Sequence, residues 1–181
     1  LTLFLSFSEI SSSNKISLNC FITTKISYAN MIGDICDKTL NANKSDVLMA
    51  IGDDTRVGNR YLKCGYGYGG PCFPRDNRAL YTYANQIGLD ATIPQATDKY
   101  NKYHTNLQFE HLLCMNKDTY YFSDIGYKEN CPVPIIEESQ KLEIAIKLAK
   151  NGKKVILCDH KYMIDTVKNI YGNIFIYQYV A

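Results

Sequence analysis

The stretch Gly65-Tyr66-Gly67-Tyr68-Gly69-Gly70-Pro71-Cys72-Phe73-Pro74-Arg75-Asp76 decides how the rest of the chain is read. Its glycines at 65, 67 and 70 imitate the Gly-x-Gly-x-x-Gly of a dinucleotide-binding turn. Such a turn follows a strand and opens a helix on its last glycine, because the helix N-terminus must meet the pyrophosphate. Here no strand leads in, and Pro71 and Pro74 follow the last glycine. The segment from about Asp53 to Arg75 therefore reads as a long irregular loop between helices, and no cofactor-binding residues are assigned to it.

Upstream, Lys15 to Leu40 predicts one long helix. Ile16, Cys20, Phe21, Ile26, Ala29, Ile32, Ile35 and Cys36 fall close to a three-and-four spacing. A second helix is expected from Ser45 to Gly52, capped by Asn43 or Ser45. Downstream of the loop, a third helix is expected from Asp76 to Ile87, with Gly88 past its end. A fourth is expected from about Pro94 to Met115, since Pro suits a first turn.

After Met115 the period changes. Thr119–Ile125 predicts a strand, Glu137–Asn151 an amphipathic helix stopped by Gly152, and Val155–Cys158 a short buried strand. A helix over Tyr162–Ile170 and a strand over Ile174–Tyr179 follow. Strand, helix, strand, helix, strand is the rhythm of a parallel sheet with crossover helices. The fold class is thus a mainly α central domain followed by a partial α/β, Rossmann-like unit. The expected division is 1–14 irregular, 15–115 helical with the cysteine loop, and 116–181 α/β.

Composition narrows the partners. The 181 residues carry a net charge of +2, with 46% hydrophobic and 21% charged side chains, as expected of a chain that buries a core. The charge is spread evenly, so no whole-protein field draws in nucleic acid or membrane. Seven scattered cysteines without a Cys-x-x-Cys pair read as reduced thiols in the cytoplasm, and no metal site is expected. Leu1–Phe7 is apolar but too short to span a bilayer and has no basic residue ahead of it, so neither membrane nor secretion is expected. The chain does not begin with Met, which suggests a trimmed chain or a fragment.

The loop carries the chemistry. Glycines just ahead of Cys72 let backbone come close to a ligand. The positive end of the helix expected near Asp76 would favour a thiolate at Cys72. Asp76, one turn on, has the chemistry to orient or deprotonate a water. Arg56, Arg60, Lys63, Arg75 and Arg78 outnumber Asp53, Asp54 and Asp76, a balance that suits an anionic ligand such as a diphosphate. Against this stands the plainer fact that a lone cysteine is most often a small buried hydrophobe.

Gly67-Tyr68-Gly69-Gly70-Pro71-Cys72-Phe73-Pro74-Arg75-Asp76 resembles the active-site signature of the UDP-glucose/GDP-mannose dehydrogenase family. The resemblance extends to Lys15-x-x-x-Asn19 and to Ala50-Ile51-Gly52 through Arg56-x-Gly58-Asn59-x-Tyr61-Leu62-Lys63. It continues in Asp76-Asn77-x-Ala79-Leu80, Gly126-Tyr127-Lys128 and Glu137-Glu138-Ser139. Pro71 stands where the family often has Ser. The resemblance implies that Cys72 is the covalent nucleophile, that Lys15 stabilises an oxyanion, and that Asn19 holds a water or substrate oxygen, with Asp76 as base. Tyr61, Lys63, Tyr68, Gly69 and Lys128 would line the sugar-nucleotide site, and Arg56 would reach across a homodimer. It further implies oxidation of UDP-glucose to the uronic acid by two NAD+ through a cysteine thioester, with UDP-glucose favoured over GDP-mannose and UDP-N-acetyl sugars.

The family's N-terminal NAD-binding domain has no counterpart in this sequence. The expectation is a truncated relative, inactive alone and binding no NAD. The alternative is a non-catalytic dimeric protein that binds a sugar nucleotide, a glycan or nucleic acid through the tyrosine-rich basic loop.

Overall fold

The computed structural model describes residues 10–180; the apolar stretch Leu1–Phe7 and most of the segment expected to be irregular lie outside the described residues. Helix α1 spans Ile10–Asp37, α2 Lys44–Asp53, α3 Phe73–Gln86 and α4 Thr92–Cys114. Strand β1 (Thr119–Ser123), helix α5 (Gln140–Lys150), strand β2 (Lys154–Asp159), helix α6 (Lys161–Tyr171) and strand β3 (Ile176–Tyr179) follow. A helical part followed by a small parallel α/β part is the architecture the sequence periods imply. No described helix is long and apolar enough to cross a membrane.

The described residues form two compact units. One takes the chain up to Gly67 together with Cys72–His104; the other takes Tyr68–Pro71 with the chain from Thr105 onward.

In the first unit, α1 begins at Ile10, not Lys15, and stops at Asp37, not Leu40. Nothing in Ser11-Ser12-Ser13-Asn14 breaks a helix, whereas Asn41 at φ +61° sits in the tight turn after Lys38. Asn43 caps α2, its side chain accepting from the Ser45 and Asp46 amides. The buried apolar centre is small: Ala29, Leu48 and Leu62, with Ile32, Ile51 and Cys64 against them. Much of the helix contact is therefore polar. Thr24 Oγ1 lies 3.2 Å from Thr97 Oγ1, and Ser27 Oγ donates to the Thr97 carbonyl at 3.3 Å. Phe21 and Ile35, which the spacing places on one stripe with Cys20 and Ala29, are exposed. A 28-residue helix drifts around its axis relative to a fixed three-and-four spacing, so one apparent stripe covers two faces.

In the second unit, the sheet order is β1-β2-β3, all parallel. Tyr120, Phe122, Val155 and Leu157 face inward and pack with Leu142, Ile144, Leu148, Met163, Ile164 and Val167 of α5 and α6. Of the strand expected to be buried over Val155–Cys158, Val155 and Leu157 are buried, while Ile156 and Cys158 are only half-buried. The core against these strands lies on one face, so β2 alternates as β1 does. Helix α5 starts at Gln140, three residues after the expected Glu137. Ser139 is its N-cap, accepting from Leu142 N, and Glu138 sits at φ +49°, outside helical space.

Candidate functional site

The proline-containing turn after Cys72 sets the position of the cysteine. Pro74 falls in the first turn of α3, where its fixed φ and missing N–H cost nothing, so the helix starts at Phe73. The expectation of a start near Asp76 is corrected by this turn: Cys72 is itself the N-cap residue, and Asp76 N donates to Cys72 O at 2.8 Å. Cys72 is half-buried and has no disulfide partner. The partial positive charge of an α-helix is concentrated in its first turn, which here begins directly after the thiol-bearing residue.

Asp76 is 3% exposed. Asn19 Nδ2 donates to its Oδ2 at 2.7 Å, and Arg75 Nε and Nη2 reach its Oδ1 at 3.2 Å each. One turn along α1 and one residue along α3, Asn77 Nδ2 donates to Thr23 Oγ1 at 2.8 Å and to the Phe73 carbonyl at 2.9 Å. The Thr23 hydroxyl in turn lies 2.9 Å from the Asn19 and Cys20 carbonyls. Two rungs, Asn19–Asp76 and Thr23–Asn77, thus lock α1 to α3 and fix the first turn behind Cys72. Between them Cys20 is buried, and burial followed by the Asp76 carboxylate pushes its thiol up to about 12. Lys15 stands one turn before Asn19 on the same helix and is exposed.

Thr23 and Cys20 escape a reading of the loop, because neither neighbours it in the chain. The i, i+4 spacing of Thr23 from Asn19, which puts both on one helix face, was the available signal.

The basic side chains near the loop are less available than their number suggests. Arg56 folds back on Asp54, Nη2 to Oδ2 at 2.6 Å and Nε to Oδ1 at 3.0 Å, and its guanidinium holds that carboxyl below the usual range. Arg75 is paired with Asp76, and Arg78 with Asp98 at 3.3 Å. The structure therefore brings Arg56 to its own neighbour two residues away. Arg60 and Lys63 are exposed. Tyr61 is exposed too, at φ +62°.

The remaining candidates belong to the second unit. Tyr68 is buried there. Gly70 N donates to the Glu137 carbonyl at 2.8 Å, with Gly70 at φ +83°. A Cβ on Gly69 would strike the Glu138 carbonyl, and one on Gly70 would strike the Tyr127 ring, so this passage admits only glycine. Lys128 Nζ sits 5.5 Å from the centre of the Tyr127 ring. Among the described residues, no three His, Cys, Asp or Glu side chains gather as a metal site requires.

The helical unit thus presents a cysteine at the head of α3, with the buried Asp76 carboxylate one turn on held by Asn19 of the long helix α1. Residues 9–103 match the central domain of the UDP-glucose/GDP-mannose dehydrogenase family. The chain belongs to that family.

It is 39% identical over 99 residues to UDP-glucose 6-dehydrogenase of Pseudomonas aeruginosa, a match covering 55% of this chain and 22% of the relative. It is 40% identical over 87 residues to UDP-glucose 6-dehydrogenase YwqF of Bacillus subtilis, covering 48% of this chain and 20% of that one. Among solved structures, a UDP-glucose dehydrogenase from the archaeon Pyrobaculum islandicum superposes with a TM-score of 0.82 at 26% identity, over 92% of this chain and 38% of the archaeal one. A UDP-N-acetyl-mannosamine dehydrogenase from S. aureus shares the fold, with a TM-score of 0.66 at 22% identity over 81% of this chain and 34% of that chain. The matched part of this chain is about a fifth of the length of the curated relatives.

Proposed function

We propose that this chain supplies the covalent half of a UDP-sugar dehydrogenase, with Cys72 as nucleophile toward a sugar C6 aldehyde. The observation that carries the reading is the placement of Cys72 at the N-cap of α3, directly before the turn locked by Asn19–Asp76. In this step the thiol adds across the aldehyde: a sulfur–carbon bond forms, the carbonyl π pair goes to oxygen, and the thiol proton ends on that oxygen. Lys15 balances charge developing on the oxygen. Once a thioester exists, water adds to its carbonyl and the carbon–sulfur bond breaks, returning the thiol. Asp76 is the base for that water. Arg75, whose side chain is 63% exposed, must swing off Oδ1 to free it, leaving the carboxylate its Asn19 contact. Lys63 and Tyr61 serve the sugar nucleotide, and Arg56 joins them only by leaving Asp54.

NAD, which the family resemblance assigns to the oxidation, does not fit the described residues. In a βαβ unit the dinucleotide sits at a glycine-rich turn after the first strand, with an acid on the ribose. After β1 the one nearby glycine, Gly126, is hemmed in by Cys131 and Met163, each 3.0 Å from where a Cβ would stand. The acid at the end of β2, Asp159, accepts from the Ile125 and His160 amides at 2.8 and 2.7 Å. No hydride step is assigned to these residues.

A homodimer through α1 is part of the proposal, supported by exposed Leu18, Phe21, Tyr28 and Ile35 along one side of the helix. A nucleic-acid role is not taken further, since Arg56, Arg75 and Arg78 are already in ion pairs.

The test uses UDP-glucose oxidised to the aldehyde at C6. The protein is incubated with it, and iodoacetamide labelling is mapped by mass spectrometry. The aldehyde is expected to slow labelling of Cys72 but not of exposed Cys114, and UDP-glucose itself, which has no carbonyl, is expected to slow it far less. Unchanged labelling of Cys72 at saturating aldehyde overturns the reading.

A further inference from the structure

Seven residues before Cys72, the main chain of Gly65 is held on both sides by buried side chains. Asn30 Oδ1 accepts from Gly65 N at 2.9 Å, and His104 Nε2 lies 2.7 Å from the Gly65 carbonyl. Asn30 and His104 are each 1% exposed. A carbonyl oxygen can only accept, so Nε2 carries the hydrogen that points at Gly65. The other ring nitrogen, Nδ1, lies 2.8 Å from Asp34 Oδ2, and the Tyr100 hydroxyl donates to the same oxygen at 2.7 Å.

Asn30 and Asp34 are one turn apart on α1, and Tyr100 and His104 are one turn apart on α4. The two facing pairs form a closed polar strut within the first unit, ending on a loop backbone. Loop backbone is ordinarily left to water; here both polar groups of one residue are taken up by side chains from two helices. The glycine itself is not demanded by space, because a Cβ on Gly65 would meet nothing within 4 Å. What the strut grips is the peptide backbone.

We infer that His104 is a positioning residue that anchors the cysteine loop at Gly65, with Asp34 and Tyr100 fixing the imidazole and Asn30 holding the opposite side. That the loop serves a nucleophile rests on the function proposed above; the anchor itself does not.

The experiment compares His104→Gln with His104→Asn in the full chain. A glutamine amide reaches as far as Nε2 and restores the donor to Gly65. An asparagine amide stops at the reach of Nδ1, toward Asp34, and no longer donates to the Gly65 carbonyl. Hydrogen–deuterium exchange of the peptide spanning residues 64–72 and the rate of Cys72 alkylation are read beside the urea midpoint. His104→Asn is expected to speed exchange in that peptide about tenfold, the scale of one lost buried hydrogen bond, and to change Cys72 alkylation at least about threefold on the same scale. His104→Gln is expected to restore both toward wild type, while Gly65→Ala leaves both unchanged.

Equal exchange in the Gln and Asn variants at matched urea midpoints overturns the anchor. Should His104→Asn fail to fold, Tyr100→Phe decides: faster exchange confined to residues 64–72 supports the strut, and wild-type exchange there overturns it. Cys72 that resists iodoacetamide in every variant counts against the proposed nucleophile, and the exchange measurement then judges the anchor alone.

Discussion

Asn19 and Asp76, 57 positions apart in the chain, meet at 2.7 Å between α1 and α3, and the carboxylate they share this contact through is almost wholly buried. The pair ties the helix that bears Lys15 to the helix that Cys72 caps. Removing Asn19 leaves a buried carboxylate oxygen short of a donor. Asn19→Ala is therefore expected to cost about 1–3 kcal/mol, the penalty of an unsatisfied buried group. A double-mutant cycle with Asp76→Asn should return a coupling of about 0.5 kcal/mol or more, as contacting residues do. Urea denaturation measures both, and strict additivity would show that the pair is not coupled.

Cys20 makes folding sensitive to alkali. Its thiol is raised from 9.0 to about 12 in the folded chain by burial and by Asp76. The unfolded chain loses this proton first, so the contribution is fully present below about pH 9 and is lost as the pH rises toward about 12. The stability of wild type relative to Cys20→Ala is expected to fall across that window. A difference that stays flat, measured by denaturant titrations at successive pH values, would refute the assignment.

Ser139 does two jobs in the second unit. It caps α5 through Leu142 N at 3.3 Å, and its hydroxyl lies 2.8 Å from the Ile125 carbonyl and 3.1 Å from that of Gly126. Ser139→Ala is expected to destabilise by about 1–3 kcal/mol, combining a lost cap with a buried acceptor left short. A change below a few tenths of a kcal/mol in thermal or urea unfolding would argue that water replaces the hydroxyl.

The outer side of α1 is expected to be the self-association surface. Phe21 is 65% exposed, so Phe21→Asp should leave the stability of the monomer nearly unchanged. An aromatic at the centre of an interface commonly contributes about 2 kcal/mol or more, so association should weaken by at least about tenfold. Sedimentation over a range of concentrations reports this directly. A wild type that stays near 20.6 kDa at every concentration removes the dimer.

Several features were legible without coordinates because their causes are local. The change from a three-and-four period before Met115 to alternating strands after it follows from side-chain direction along helix and strand. The glycines and proline of residues 58–71 keep that stretch out of regular structure by their own backbone limits. Cys72, Asp76, Lys15 and Asn19 were brought together only by the family resemblance, and the last three could be placed on helices from pattern alone. The exact head of α3 was harder, since Pro74 is compatible with either a loop or a first turn.

Tertiary structure decided which groups are spent and which face water. Arg56 counts as a loop cation in the sequence, yet its partner is Asp54. Phe21 and Cys20 are adjacent apolar positions, but only Cys20 is buried, because α3 packs on its side of α1. The strut from Asp34 through His104, 70 positions apart, to Gly65 has no local signature at all. Backbone propensity acts over a few residues and is written in neighbouring side chains. Hydrogen-bond partners drawn from different helices are fixed only when packing brings those helices together, and a loop gripped by its backbone leaves no mark on its own side chains.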